Sequence, residues 1–381
     1  MKCCELRWLT ALAVLVLGFG CERGAPVCRF GREHRLFQSG SQVFHDLRTV
    51  QLGTGMLALF SDASGVQALP LDASGAPRGP ARRLFDACDG GLDADSGKAE
   101  LHVVCLRRAA ADGAAVALYA LDAAFGVREL ARFGSAGRLS SGIALSRTAA
   151  ALAVTWHAAA VSGGSIWYVE YRELGGPSVP RQLSDAGWEP SAPSLTWDGE
   201  RLYASWAETR FAGERAESRI LIARPDRREP PHVVLTSRDP APSPRLAASS
   251  AGLILSFRDK RESLRKTGLY LARLDAGGRL SGQVVRAGRA DGEASPVLEP
   301  CLGGVVSATP RTFAGDYFVG VMRADTTLSR LSPEQQFYQD AREFDRVAVH
   351  CGPLGAVLLI GERGRLLRGN AALRSTTFVC D

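Results

Sequence analysis

Four acids recur at one place in this chain: Asp62, Glu208, Asp259 and Glu362 each lie two residues beyond Phe60, Trp206, Phe257 or Ile360. Arg107 and Arg311 fill the same place after Cys105 and Thr309, and His157 directly follows Trp156. Carboxylates and arginines gathered on one rim have two chemical uses: they hold a polar ligand, or an acid works with a base in hydrolysis. The plainer use is structural. Asp259 with Arg261, and Glu208 with Arg210, would pair to hold their own loops, and the spacing favours that use over a catalytic one.

Other chemistry is thin. His34, His45, His102, His157, His232 and His350 are scattered without HExxH spacing, and they read as satisfied or exposed side chains rather than ligands. No GxSxG elbow, P-loop or dinucleotide fingerprint occurs. No CxxC or Cys/His cluster suggests zinc, so neither a metal nor a cofactor is expected. Calcium held by turn acids such as Asp93 and Asp95 would be unspecific. The formal charge is +6, with the arginines dispersed along the chain, which argues for a solvated surface and against nucleic-acid binding.

Helical periodicity is hard to find, whereas short alternating runs bounded by Gly, Asp, Pro and Ser recur throughout, as in an all-β chain. The strand that places each acid repeats: its terminal position is filled by Phe60, Cys105, Trp156, Trp206, Phe257, Thr309 and Ile360, at intervals of 45 to 52 residues. A strand precedes it, as at Ala192–Leu195, Ser243–Leu246 and Ser295–Leu298. Another follows, as at Ile220–Arg224 and Gly268–Arg273. The last comes after a turn such as Leu71–Gly75 or Leu274–Gly278, where Asp and Gly supply the hairpin chemistry. Four antiparallel strands per unit of about 50 residues predict a seven-bladed β-propeller. Six or eight blades stay open if a weak unit, such as that around Cys105, is misjudged. The large residues at the repeated position then fill the gap between neighbouring sheets.

The last unit lacks a fourth strand, because the chain ends soon after the third, Leu373–Val379. The segment Glu33–Ser39 resembles the fourth strands Pro80–Phe85 and Arg128–Phe133, so it is expected to complete the seventh blade and remove an open sheet edge. That places Cys28 beside Cys380, where a disulfide would replace the covalent hairpin and add about 4 to 5 kcal/mol by loop-closure entropy. Cys301 and Cys351, one period apart, form the second expected pair, and Cys88 with Cys105 the third by elimination among the connectivities that six cysteines allow.

At the N-terminus Lys2 and Arg7 precede the apolar run Trp8–Phe19, too short for a membrane span that needs about 20 residues. Residues 1–20 therefore read as a secretory signal. The stretch Gly18-Phe-Gly-Cys21 resembles a bacterial lipobox, with Gly18 where Leu is usual. That resemblance implies a lipid on Cys21, a tether over residues 21–32, and a propeller over residues 33–381. Glu22 resembles an outer-membrane sorting signal. An even set of six remaining cysteines fits an exported, oxidising setting.

The aromatic-x-acid ending, the aliphatic strand after it and its closing Arg resemble the sialidase-type propeller repeat, clearly in units four and five. The Asp-box turn of that repeat is absent; Ser61-Asp-Ala-Ser-Gly65 and Ser184-Asp-Ala-Gly-Trp188 are loose echoes. The sialidase catalytic residues have no counterparts here. The expectation is an envelope lipoprotein that binds or scaffolds a protein or glycan as a monomer, with an exported glycoside hydrolase as the alternative.

Overall fold

The computed structural model describes residues 26–380, apart from 42, 87, 89–90, 98–99, 110–112, 135–137, 161–162, 213–214, 263–265, 291–294, 314–315, 339–342, 353–354 and 364–369. Seven antiparallel sheets follow one another round a ring, six with their strands in chain order from the centre outward and the last with the N-terminal strands outermost. This is the seven-bladed propeller that the repeat predicts. The lipidation candidate Cys21 and the signal segment lie outside the described residues.

The repeated position ends up where a propeller needs bulk. Phe60, Cys105, Trp156, Trp206, Phe257, Thr309 and Ile360 are all at most 1% exposed. All but Thr309 contribute to an apolar layer shared by neighbouring blades; Ile360, for example, packs with Val306, Val321 and Phe337 of the blade before it. Burial of these side chains holds one blade face against the next.

Ring closure follows the expected route and starts earlier than Glu33. Both Cys28–Phe30 and His34–Gln38 pair with Ala372–Cys380, the third strand of the last blade, with Cys28 opposite Cys380. All three expected disulfides are formed: Cys28–Cys380, Cys88–Cys105 and Cys301–Cys351. The first closes the ring covalently. The third joins the inner strands Val297–Cys301 and Phe344–Gly352 of blades six and seven.

Innermost strands have one edge without a sheet partner, so their backbone groups need other acceptors and donors. Side chains of the adjacent blade supply them. Asp46 accepts from the Leu92 N–H at 2.9 Å, Asp93 from Leu145 at 2.8 Å and Asp95 from Arg147 at 2.6 Å. Thr49 donates to the Val349 carbonyl at 2.7 Å, which ties blade one to blade seven.

The two ends of the ring differ. One, here the acid rim, collects the ends of the second strands; the other, the turn face, collects the tight first-to-second and third-to-fourth turns. On the turn face Asp72, Asp122, Asp275 and Asp325 each accept backbone N–H bonds from residues two to five places on. Gly75 and Gly278 adopt φ of 83° and 75° in these turns, and a Cβ there would also meet the neighbouring blade.

Candidate functional site

The structure brings the repeated acids to one rim, but their carboxylates turn into the blades. Asp62, Glu208, Asp259 and Glu362 are at most 2% exposed. Glu208 accepts from Arg219 at 2.6 Å and from the Trp206 indole at 2.9 Å. Asp259 accepts from Arg261 at 2.7 Å and from the Arg238 and Lys260 N–H groups at 2.9 and 2.7 Å. Glu362 pairs with Arg374. Among the described residues Asp62 is held by Ser39, Ser64 and Gln67 rather than by a cation, and although burial works the other way, these bonds keep its carboxyl below the usual range.

The cationic members behave as mirror images. Buried Arg311 pairs with Glu334, and Arg107 bonds Asp86 at 2.9 Å and the Tyr119 hydroxyl at 3.2 Å. His157 is buried beside Gly164 and pushed down to about 4 by that burial, so its ring is neutral at ordinary pH. The expected Asp259–Arg261 pair is present. The expected Glu208–Arg210 pair is replaced: Arg210 bonds Glu217 at 2.8 Å, while Glu208 takes Arg219 from the facing strand. Hairpin pairing sets Glu208 directly opposite Arg219, and that register overrides sequence proximity.

What the rim offers to solvent is therefore the layer above the acids. Trp188, in the connection between blades three and four, has the guanidinium groups of both Arg219 and Arg210 over its ring, 4.1 and 4.5 Å from the centroid. Arg219 also reaches Asp185 at 3.2 Å, and its side chain is 20% exposed. In blade five Arg261 lies 4.8 Å over the Tyr270 ring while held by Asp259. Buried acids thus fix the orientation of surface arginines against aromatic faces. The sequence signal for Trp188 was the loose Asp-box echo; Ser184 of that stretch accepts the Ile166 N–H at 2.9 Å instead.

A second charged array lines the central channel. Asp93 and Asp95 belong to the inner strand Gly91–Ser96 of blade two, not to a turn, because alternation on that strand sends both side chains inward. Arg48 bonds Asp93 at 2.8 Å and Asp46 at 2.7 Å; burial opposes its charge, and these two carboxylates more than restore it. Burial and the Asp93 charge push Asp95 up to about 6, against the backbone bond from Arg147. Burial, with Asp93 and Asp95 opposite, pushes Glu299 up to about 8. Arg245 feels burial and Arg48, which lower its pKa, and donates to the Pro193 carbonyl at 3.1 Å. Sequence reasoning passed over Arg48, Arg245 and Glu299 because nothing local marks an inward-facing position.

The turn face carries two adjoining hollows of about 420 and 300 Å³ at the channel mouth. Leu302 and Cys351 border both. Among the described residues no group of His, Cys, Asp and Glu is arranged to hold a metal ion, and no helix is long and apolar enough to cross a membrane.

No protein-family model matches the chain, and comparison with curated proteins found no match. Similarity appears at the level of solved structures. The WD40 domain of Toxoplasma gondii coronin superposes with a TM-score of 0.54 at 12% identity, over 93% of this chain and 86% of that one. The polysaccharide lyase Uly1 does so with 0.50 at 10% identity, over 91% and 92%. A subtype N10 neuraminidase-like protein of A/little yellow-shouldered bat/Guatemala/060/2010 gives 0.48 at 10% identity, over 93% and 100%. At such identities the likeness concerns the propeller fold alone. The three disulfides fit an oxidising, exported setting.

Proposed function

We propose that this protein is an exported binding propeller, held to the outer membrane of a bacterial envelope by a lipid on Cys21, that captures a protein or glycan ligand on its acid rim. Residues 1–20 are the signal that this reading removes. The observation that carries the ligand assignment is the Trp188 ring with Arg210 and Arg219 both packed over it, and Glu208 buried beneath to orient the latter. Planar guanidinium groups stacked on an aromatic ring suit a ligand that combines an apolar surface with carboxylates, such as an acidic oligosaccharide. Asp62, Asp259, Arg107, Arg311, His157 and Glu362 then serve the site as its foundation, and Arg261 and Arg219 as contacts.

Calorimetric titration with oligogalacturonate and with a neutral dextran oligosaccharide tests this. Acidic sugar is expected to bind and the neutral one not, with Trp188→Ala and Arg210→Gln each weakening binding about tenfold. Unchanged affinity in both variants overturns the assignment.

One observation favours a hydrolytic second reading. Glu299 and Asp95, pushed up to about 8 and about 6, share one channel with Asp93, a set of carboxyl groups of the kind glycoside hydrolysis uses. Release of reducing ends that disappears in Glu299→Gln would replace binding by catalysis.

A further inference from the structure

We infer that the turn face seats on the membrane surface, so that the acid rim points away from it. The inference rests on the lipid anchor proposed above, and it begins with where the chain enters the ring. Third strands run toward the turn face, and Cys380 ends the third strand of blade seven. Cys28 sits opposite Cys380 in register and is bonded to it, so the chain enters on that same face. The seven residues from Cys21 to Cys28 reach at most about 25 Å even when fully extended. A lipid on Cys21 therefore keeps the turn face within that distance of the bilayer.

The surface chemistry of this face matches such a neighbour. Leu174, Val179, Leu302 and Val27 are 104%, 88%, 93% and 71% exposed. Leu302 caps the inner turn of blade six beside the channel mouth, Leu174 lies in the outer turn of blade three with Val179 on the outer edge just beyond it, and Val27 precedes the closing strand of blade seven. Blades three and seven stand on opposite sides of a seven-membered ring, so these apolar points cross the face from edge to edge. Exposed Arg78, Arg228, Arg279 and Arg330 stand in the outer turns of blades one, four, five and six. Asp72, Asp275 and Asp325 in the same kind of turn are engaged by backbone N–H groups. Isolated apolar tips among these arginines, with Glu173, Glu200 and Glu229 exposed in the same set of turns, form an interfacial contact with lipid headgroups. Phe211, 69% exposed, is the corresponding apolar residue of the acid rim and serves as the internal control.

The test uses the lipid-bearing chain in vesicles of phosphatidylethanolamine and phosphatidylglycerol, with and without brominated acyl chains. Mass spectrometry of the N-terminal peptide first establishes the diacylglyceryl group on Cys21. In Leu302→Trp, bromine is expected to quench the added emission at least about twofold, whereas in Phe211→Trp it has no effect. Leu174→Glu combined with Arg279→Glu is expected to abolish the quenching of Leu302→Trp while the melting temperature stays unchanged. A chain without lipid on Cys21 removes the anchor and this inference together. Quenching absent from Leu302→Trp, or equal in both tryptophan variants, in a chain that carries the lipid overturns the seating alone.

Discussion

The two ends of the ring solve the same problem by different means. Both must hold the exits of strands whose backbone continues into loops. The acid rim does so with charge: Glu208–Arg219, Asp259–Arg261 and Arg311–Glu334 lock strand ends inside blades where little solvent enters. The turn face does so with covalent links and local turns, since Cys28–Cys380 and Cys301–Cys351 lie there and Asp residues cap its hairpins. The difference teaches that a residue at a rim is not thereby a surface residue. An acid rim built on buried pairs is rigid but sensitive to the loss of either partner, whereas a turn face held by its covalent links tolerates change in the local turns between them and is free to carry exposed tips.

The largest expected effect comes from the ring closure. Replacing Cys28 and Cys380 by Ser, which opens a link between residues 352 apart in sequence, should lower unfolding free energy in urea by about 4–5 kcal/mol. Replacing Cys88 and Cys105, only 17 apart, should cost about 3 kcal/mol. Equal losses would show that chain entropy is not what distinguishes the covalent seams.

Next stands the buried charge. Arg219→Leu leaves Glu208 unpaired and should cost about 3–5 kcal/mol, and adding Glu208→Gln should recover most of it. If the double variant is as unstable as the single one, packing rather than charge holds the acid rim.

The channel that joins the two ends provides a third break. The folded Glu299 holds its proton up to about 8, while the unfolded chain releases it near the ordinary 4.5, so stability should fall as pH rises between these values. Glu299→Gln should flatten that fall by on the order of 1–2 kcal/mol in melting curves across the window. His102 and His157, pushed down to about 4 by burial, act in the opposite sense, because stability they contribute is lost as pH drops from 6.5 toward 4. Smallest should be Asp275→Ala on the turn face, about 1 kcal/mol by urea unfolding, since it removes local bonds in an exposed turn.

Much of the frame was legible along the chain, and for a definite reason. A blade cannot bury its faces alone, so each repeat must carry the same large residue at the same place, and Phe60, Trp156, Trp206 and Phe257 mark it openly. The closing strand was legible because Glu33–Ser39 resembles Arg128–Phe133, and the missing fourth strand asked for it. Cys28 and Cys380 followed from that pairing. Such features depend on local period and strand count, which a linear pattern records.

The tertiary structure decided what the side chains at those marked places do. Glu208 meets Arg219, not Arg210, because the length of the hairpin between them sets the register. Asp93 and Asp95 face Glu299 across a channel because the ring brings blades two and six together, an approach that no spacing along the chain encodes. Trp188 acquires its two arginines in the same way, through the fold of one inter-blade connection onto a neighbouring hairpin. Period and pattern determine which strands form and in what order; which charges become neighbours depends on curvature and register, and those exist only once the ring has closed.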